Sequence, residues 1–315
     1  MHKYLVFAIG LVATGCNPSS LEQPSPAPKA PHKHREPIAP PSDEVVEPEP
    51  VAANGFGDGL QLRRPIQDGR LTLIPIVSMN QPSERKFITL QDGMANGLVT
   101  VSEPPTGGYS FVAISNHSSE PLVILGGELL LDGHQDRMTA ANMIVPEHAT
   151  VSVGAYCVEL GRASGAETFH PGNAIAEIAL RRIGAHGDQS AVWSFVDEIN
   201  SREGLAPRTS TYRLAAKAQL KGGNVERRDR ILAQLGALEE HDRIVGLAVA
   251  IDNRVVAIDR FGTAALYRQL EPLLLASYLP TTGGKARTSA PLTPDSVRAF
   301  AGKLVPVKSV DTIIH

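Results

Sequence analysis

The sequence is short of cysteine, of net charge, of long apolar runs and of recognisable catalytic motifs. Two cysteines stand among 315 residues, Cys16 and Cys157. Too few are present for a disulfide-stapled scaffold or a paired-CxxC metal site. The formal net charge is −3, from 30 Lys+Arg against 33 Asp+Glu. That balance offers no basic footprint, so no nucleic-acid partner is expected. A single apolar run sits at the extreme N-terminus, which excludes a polytopic membrane protein. There is no GxxxxGK(S/T) phosphate loop, no dinucleotide fingerprint in a βαβ setting, no HExxH and no GxSxG. The histidines at 117, 134, 148, 170 and 186 never fall at metal-ligand spacing, so no metal is expected. No cofactor is named by any motif. What is present is a chain 42 % apolar, enough to build a real core and to exclude global disorder.

The first fifty residues read as an address. His2 and Lys3 precede an apolar stretch, Leu5 to Ala13, too short to span a bilayer that needs roughly 20 residues. It ends in Ala13-Thr14-Gly15-Cys16, which looks like a bacterial lipobox. That reading makes residues 1–15 a signal peptide and Cys16 the lipid-modified residue. It places the protein on the cell envelope, with the membrane as partner through its anchor. Residues 16–54 then form a tether. Ten of the 24 prolines fall in 17–50 and forbid helix or central strand there. As an extended spacer this stretch reaches roughly 100 Å at about 3.1 Å per residue. His32-Lys33-His34 reads as part of that solvated linker, and Gly55-Phe56-Gly57-Asp58-Gly59 as a flexible joint. With Cys16 acylated, Cys157 is a lone thiol best kept buried.

Residues 55–315 read as a single α+β domain. Its β-rich N-terminal half suggests a sandwich or small barrel, followed by helices and a second β-hairpin. Leu71–Val77 is a strand whose Pro75 argues for an edge or a bulge. Leu98–Val101 is another strand. Tyr109–Ser115 and Leu122–Leu125, joined by a turn cluster, read as a hairpin. Glu128–Leu131, Met143–Val145 and Thr150–Val153 continue the pattern. Helical spacing begins at about 173, with Val192, Phe195, Val196 and Ile199 on one face. Ser210–Leu220 is a helix capped at its start by Ser or Thr, and Asn224 caps the next. Ile244–Ile251 and Val255–Ile258 form the second hairpin about Asp252-Asn253. Pro272 predicts a kink in the following helix, and Thr293-Pro294-Asp295 a helix start. The pairs Gly222-Gly223 and Gly283-Gly284 read as loop or helix-end glycines.

One stretch, 126–162, concentrates charge at strand ends. Gly126-Gly127-Glu128 follows an apolar strand, Gln135-Asp136-Arg137 follows the next, and Glu159 to Arg162 closes a third. Glu128, Gln135, Asp136, Arg137, Glu159 and Arg162 are the candidate ligand-binding residues. Two arginines suit a phosphate or carboxylate. Two carboxylates suit acid–base work on a glycosidic or phosphate-ester bond, or ribose hydroxyls. The same groups would equally serve as Arg–carboxylate bridges pinning strand ends together.

The runs at 126–137, Val145-Pro146 and Cys157–Arg162 resemble those of the ADP-ribosylglycohydrolase- and rhodanese-phosphatase-associated protein domain, a family of unknown function. Gln189–Trp193 and Asp259-Arg260-Phe261-Gly262 to Ser277-Tyr278 are similar to it too. The resemblance covers roughly residues 60–280. It implies a binding or regulatory role connected with ADP-ribose or NAD, and transfers no chemistry. The chain departs from the family pattern at Ala163 and at Asp136. Three functions remain in view: an anchored binding or regulatory module for a small polar or anionic ligand, a hydrolase or transferase, and a structural envelope interaction protein.

Overall fold

A computed structural model describes residues 59–80, 85–104, 108–186, 188–206, 209–280, 292–302, 307–308 and 313–314. The stretches read as signal peptide, tether and joint up to residue 58, and Gly283-Gly284, lie outside the described residues. In chain order the first elements are β1 (Leu60–Leu62), β2 (Ile66–Asp68), β3 (Leu71–Ser78), β4 (Ile88–Thr89), α1 (Leu90–Ala95), β5 (Val99–Ser102), β6 (Phe111–Asn116) and β7 (Leu122–Ile124). Next come β8 (Glu128–Leu131), β9 (Arg137–Thr139), β10 (Met143–Val145), β11 (Thr150–Cys157), β12 (Glu159–Leu160) and β13 (His170–Ile175). Then follow α2 (Ile178–His186), α3 (Gln189–Arg202), β14 (Ser210–Thr211), α4 (Arg213–Gln219) and α5 (Gly223–Gly236). The second hairpin is β15 (Ile244–Ile251) and β16 (Arg254–Arg260), followed by α6 (Ala264–Tyr278) and α7 (Pro294–Ala301). The fold is α+β, β-rich first and helical after.

Six antiparallel strands, in the order β13-β8-β9-β11-β6-β5, curl into a small barrel. Its seam is closed by the segment leading into β13. Ser102 bridges Thr168, Phe169 N donates to Val101 O at 2.9 Å, and Glu103 N donates to Glu167 O at 2.8 Å. The alternation of β6, buried at every second residue, supplies one inward face. Val99, Val101, Val112, Ile114, Val153 and Phe169 fill the same apolar cluster.

The expected hairpin of 109–115 with 122–125 does not form. β6 pairs with β5 and β11, whereas β7 pairs with β10 and, in parallel, with β4. Burial explains the parting. All three residues of β7 are buried, so β7 needs cover on both faces, whereas β6 alternates. Asn116 turns the chain away: its amide donates to the carbonyls of Glu120 (2.9 Å) and Pro146 (3.0 Å), and its Oδ1 accepts from Ser118.

The second sheet joins strands from opposite ends of the described chain. Its order is β1-β3-β15-β16, with β2 also on β3. Both β3 and β15 are buried in seven of eight residues, the signature of strands covered on two faces. Leu71, Leu73, Leu247 and Val249 pack with α5 and α6, while Ile74, Ile76 and Ala248 face α7 through Val297. Pro75 is therefore in a central strand, not at an edge. It is tolerated because it falls where β1 ends and β2 has not begun. Its carbonyl accepts from Arg63 N at 2.9 Å, so its missing donor faces that gap while Leu247 pairs on the other side.

The hairpin turn has positive φ at both Asp252 (49°) and Asn253 (63°), as a two-residue primed turn requires. Two expected caps are displaced. Ser210 and Thr211 form β14 against β12, and α4 starts only at Arg213 without a side-chain cap. Gly222, at φ 56°, precedes α5, so Asn224 lies inside its first turn. The helix across Pro272 continues to Tyr278, and Thr293 caps α7 in a capping box with Ser296.

A methyl group on Gly246 would overlap the Asp259 carbonyl oxygen and stand 2.7 Å from Arg260 Cα. Gly246→Ala is expected to cost about 2 kcal/mol by forcing β15 and β16 apart. Urea denaturation measures this, and an unchanged midpoint would contradict the strand approach.

Candidate functional site

The six candidate residues do not share one rim. Asp136, Glu159 and Arg162 come together, joined by Asp132, Thr209, Thr211 and Arg213. Asp136 is 1 % exposed and sits at the centre. It accepts from Asp132 N (3.0 Å), Thr211 Oγ1 (3.0 Å), Arg213 Nε (2.9 Å) and Nη2 (2.5 Å), and Arg162 Nη2 (3.2 Å). Glu159 accepts from Arg162 Nη2 (2.6 Å), Thr209 Oγ1 (2.7 Å) and Asp136 N (3.1 Å). Arg162 Nη1 donates to Gly133 O (2.5 Å), and Arg213 Nη2 also reaches Asp132 (2.6 Å). Burial would raise the Glu159 carboxyl, but hydrogen bonds from Arg162 and Thr209 outweigh it and hold it below the usual range. Two guanidiniums face three carboxylates here, so the cluster is closed on itself and carries no spare positive charge. It clamps the start of β9 to β12, β14 and α4.

Arg137 leaves on the other side of β9. It is fully buried, donates to Tyr109 O (3.0 Å) and Glu103 Oε2 (3.3 Å), and contacts Cys157 Sγ. The Tyr109 ring lies 5.1 Å from its guanidinium carbon. Burial pushes the Cys157 thiol up, against a smaller opposing effect of Arg137. A buried, protonated thiol is a structural group. Gln135 is buried in the loop between these two networks.

Glu128 opens β8 at a third place. Its carboxylate is fully buried and accepts from Leu125 N (2.7 Å) and Gln91 Nε2 (3.4 Å), both neutral donors. Desolvation raises this carboxyl to about 7, with Arg181 opposing more weakly. Glu128 and Glu159 share no hydrogen-bond partner and belong to separate networks.

Behind Glu128 lies a cleft of about 510 Å³ between the barrel, α2, β16 and α7. Its polar groups are Asn142, Arg181, Arg182 and Asp259. Arg181 is bidentate to Asp259 (3.0 and 2.7 Å), and Tyr278 OH donates to the same carboxylate (2.6 Å). Burial works against the Arg181 cation, but Asp259 more than offsets it. Asn142 Oδ1 accepts from Gly126 N at 2.8 Å and fixes the turn that floors the cleft. Gly127, at φ 100°, is required here: a Cβ would stand 2.6 Å from Arg181 Cγ. Arg182 is exposed and has no hydrogen bond or ion pair to any described residue.

Sequence reasoning missed Arg181, Arg182, Asn142 and Arg213. A signal for the cleft was present, because the Gly126-Gly127 and Asp259 blocks, far apart in sequence, both line or floor it. Among the described residues no group of three His, Cys, Asp or Glu is placed to hold a metal ion. No described helix is long and apolar enough to cross a membrane.

The architecture is that of an α+β domain in which a small barrel and a helix-covered sheet share one cleft. The chain belongs to the ARG and Rhodanese-Phosphatase-superfamily-associated Protein domain family, whose profile matches residues 59–311. Neither the curated proteins nor the solved structures give a match.

Asp136→Ala leaves two half-buried guanidiniums short of their shared anion. A loss of about 3–5 kcal/mol is expected in urea denaturation. A loss below about 1 kcal/mol would show that the cluster does not hold these strands.

Glu128 makes stability depend on pH. Unfolded, its carboxyl ionises near 4.5, while folded it keeps its proton to about 7. The folded state then binds more protons between these values. Stability contributed by this group is complete below 4.5, falls as pH rises and levels off above 7. The change is on the order of 3 kcal/mol. Glu128→Gln should remove that slope, and parallel pH curves for both proteins would sink the assignment.

Proposed function

We propose that the chain is a lipid-anchored protein of the bacterial cell envelope whose domain binds a small polar or anionic ligand and acts as a binding or regulatory module. The observation that carries the binding role is the cleft. It has the size of small-molecule sites, apolar walls and a few convergent polar groups. Its lining holds two guanidiniums against one carboxylate. The lipobox at Ala13–Cys16 and the proline-rich stretch behind it support the anchor. The family's association with ADP-ribose-handling proteins puts ADP-ribose and NAD first among compounds to test.

The ion-pair cluster at Asp136 is the less suitable site, since its guanidiniums are already engaged. An enzymatic reading needs a free acid–base pair at one pocket. Neither Glu128 nor Glu159 lines the cleft, and Asp259 is held by Arg181 and Tyr278. An interaction role draws on Tyr109 and Phe111, 49 % and 52 % exposed on the barrel. Two side chains fall short of the contiguous patch such a role requires.

Two measurements on the full chain test the proposal. A radioactive fatty acid should label the wild type and spare Cys16→Ala; equal labelling refutes the anchor. A thermal-shift panel containing ADP-ribose, NAD, sugar phosphates and organic anions should find a stabilising compound, worth about 2.7 kcal/mol at 100 times its dissociation constant. Arg182→Gln should weaken that effect. A stabilising compound indifferent to Arg182→Gln would move the site elsewhere.

A further inference from the structure

Resting on the cleft as the binding site, we infer that its ligand is an amphiphilic anion: an apolar body ending in one carboxylate or phosphate held by Arg182. The walls set the body. Ile178, Ala185, Val256, Ile258, Ala141 and Phe300 present aliphatic surface and one ring. Such walls reward apolar area removed from water and penalise hydroxyls that find no partner.

Polar capacity sets the head. The charge of Arg181 is balanced by Asp259, which engages both of its terminal nitrogens. Asn142 Oδ1 is taken by Gly126 N. Arg182 is the cation in the lining that has no partner among the described residues. One planar fork matches one carboxylate or one terminal phosphate in bidentate fashion. A pyrophosphate flanked by two riboses would bring two charges and several hydroxyls to a lining that offers one free cation. The cleft thus favours a ligand with charge at one end only. The exposure of Arg182 places that end on the solvent side of the cleft.

Titration calorimetry on the full chain carrying Cys16→Ala tests this with decanoate, decyl phosphate, decanol and ADP-ribose below micellar concentrations. Decanoate and decyl phosphate should bind at least about tenfold more tightly than decanol, the gap of one charge-assisted contact. Arg182→Gln should reduce both anions to the level of decanol and leave decanol unchanged. Since Arg182 is exposed and makes no hydrogen bond or ion pair with described residues, this variant should keep the wild-type melting temperature. Phe300→Ala should weaken all three decyl compounds alike. Equal binding of decanol and decanoate overturns the inference, as does indifference to Arg182→Gln. Binding of ADP-ribose without decanoate, lost in Arg182→Gln, overturns the amphiphile and keeps the cleft as a site. Absence of binding by every compound overturns the inference, and a blank thermal-shift panel besides would take the cleft reading with it.

Discussion

Five hydrogen bonds converge on the carboxylate of Asp136, and the barrel's polar end depends on them. Burying an unpaired carboxylate costs several kcal/mol, and Asp136 is almost wholly buried. It is stable there because Arg162 and Arg213 arrive from two different elements and Thr211 from a third. Each partner is in turn satisfied, Arg162 by Glu159 and Gly133, Arg213 by Asp132. The same completeness that makes the cluster a good clamp makes it a poor receptor. An incoming anion would have to displace an internal carboxylate already aligned and desolvated. Charge density along a sequence thus marks two opposite things, a ligand site or a solved burial problem. Only the count of partners separates them.

The cleft exists because two sheets of different character meet. The barrel buries one face of strands such as β6, which alternate. The second sheet buries both faces of β3 and β15, whose sequences are nearly continuous apolar runs. Helix α2 lies where they meet, carrying Arg181 and Arg182 side by side. Successive residues on a helix point about 100° apart, so the pair divides its work. Arg181 turns to Asp259 on β16 and ties the sheets' shared boundary. Arg182 is left to solvent. Gly127 completes the fit, since the stem of Arg181 occupies the space a side chain there would need.

Much of the fold was legible in local pattern. The hairpin about Asp252-Asn253 follows from two apolar runs and a two-residue turn, and α7 from Thr293-Pro294. The clusters of short strands announced a small barrel or sandwich. What failed was pairing. β6 and β7 are adjacent in sequence with a good turn between them, yet their burial needs differ, and tertiary cover overrode proximity. Pro75 misled only as to an edge, since β15 bulges between Ile244 and Gly246 beside the Pro75–Leu247 pair. A missing donor excludes a proline from a continuous ladder, but β3 borders two short strands with a gap between them, which a local rule does not see. Of the six candidate residues, three assembled as neighbours because Glu159 and Arg162 lie three apart and meet Asp136 across the adjoining strands. Arg137 did not, because adjacent strand residues point to opposite faces.

That alternation has its sharpest effect at β8. Gly126-Gly127-Glu128 reads as one motif, but its members serve different compartments. The two glycines floor the cleft and let Arg181 lie close. Glu128 turns inward, with Leu125 N and Gln91 as its donors, and both are neutral. A carboxyl so placed is retained without a compensating cation, at a cost that an amide of the same shape would avoid. Above its raised pKa of about 7 it gains over an amide an acceptor at both oxygens, one for the Leu125 N–H that begins the turn and one for Gln91. Gln91 in turn accepts from Asn173 N on β13. The chain Leu125–Glu128–Gln91–Asn173 therefore joins the cleft's floor to α1 and to the strand at the barrel's seam.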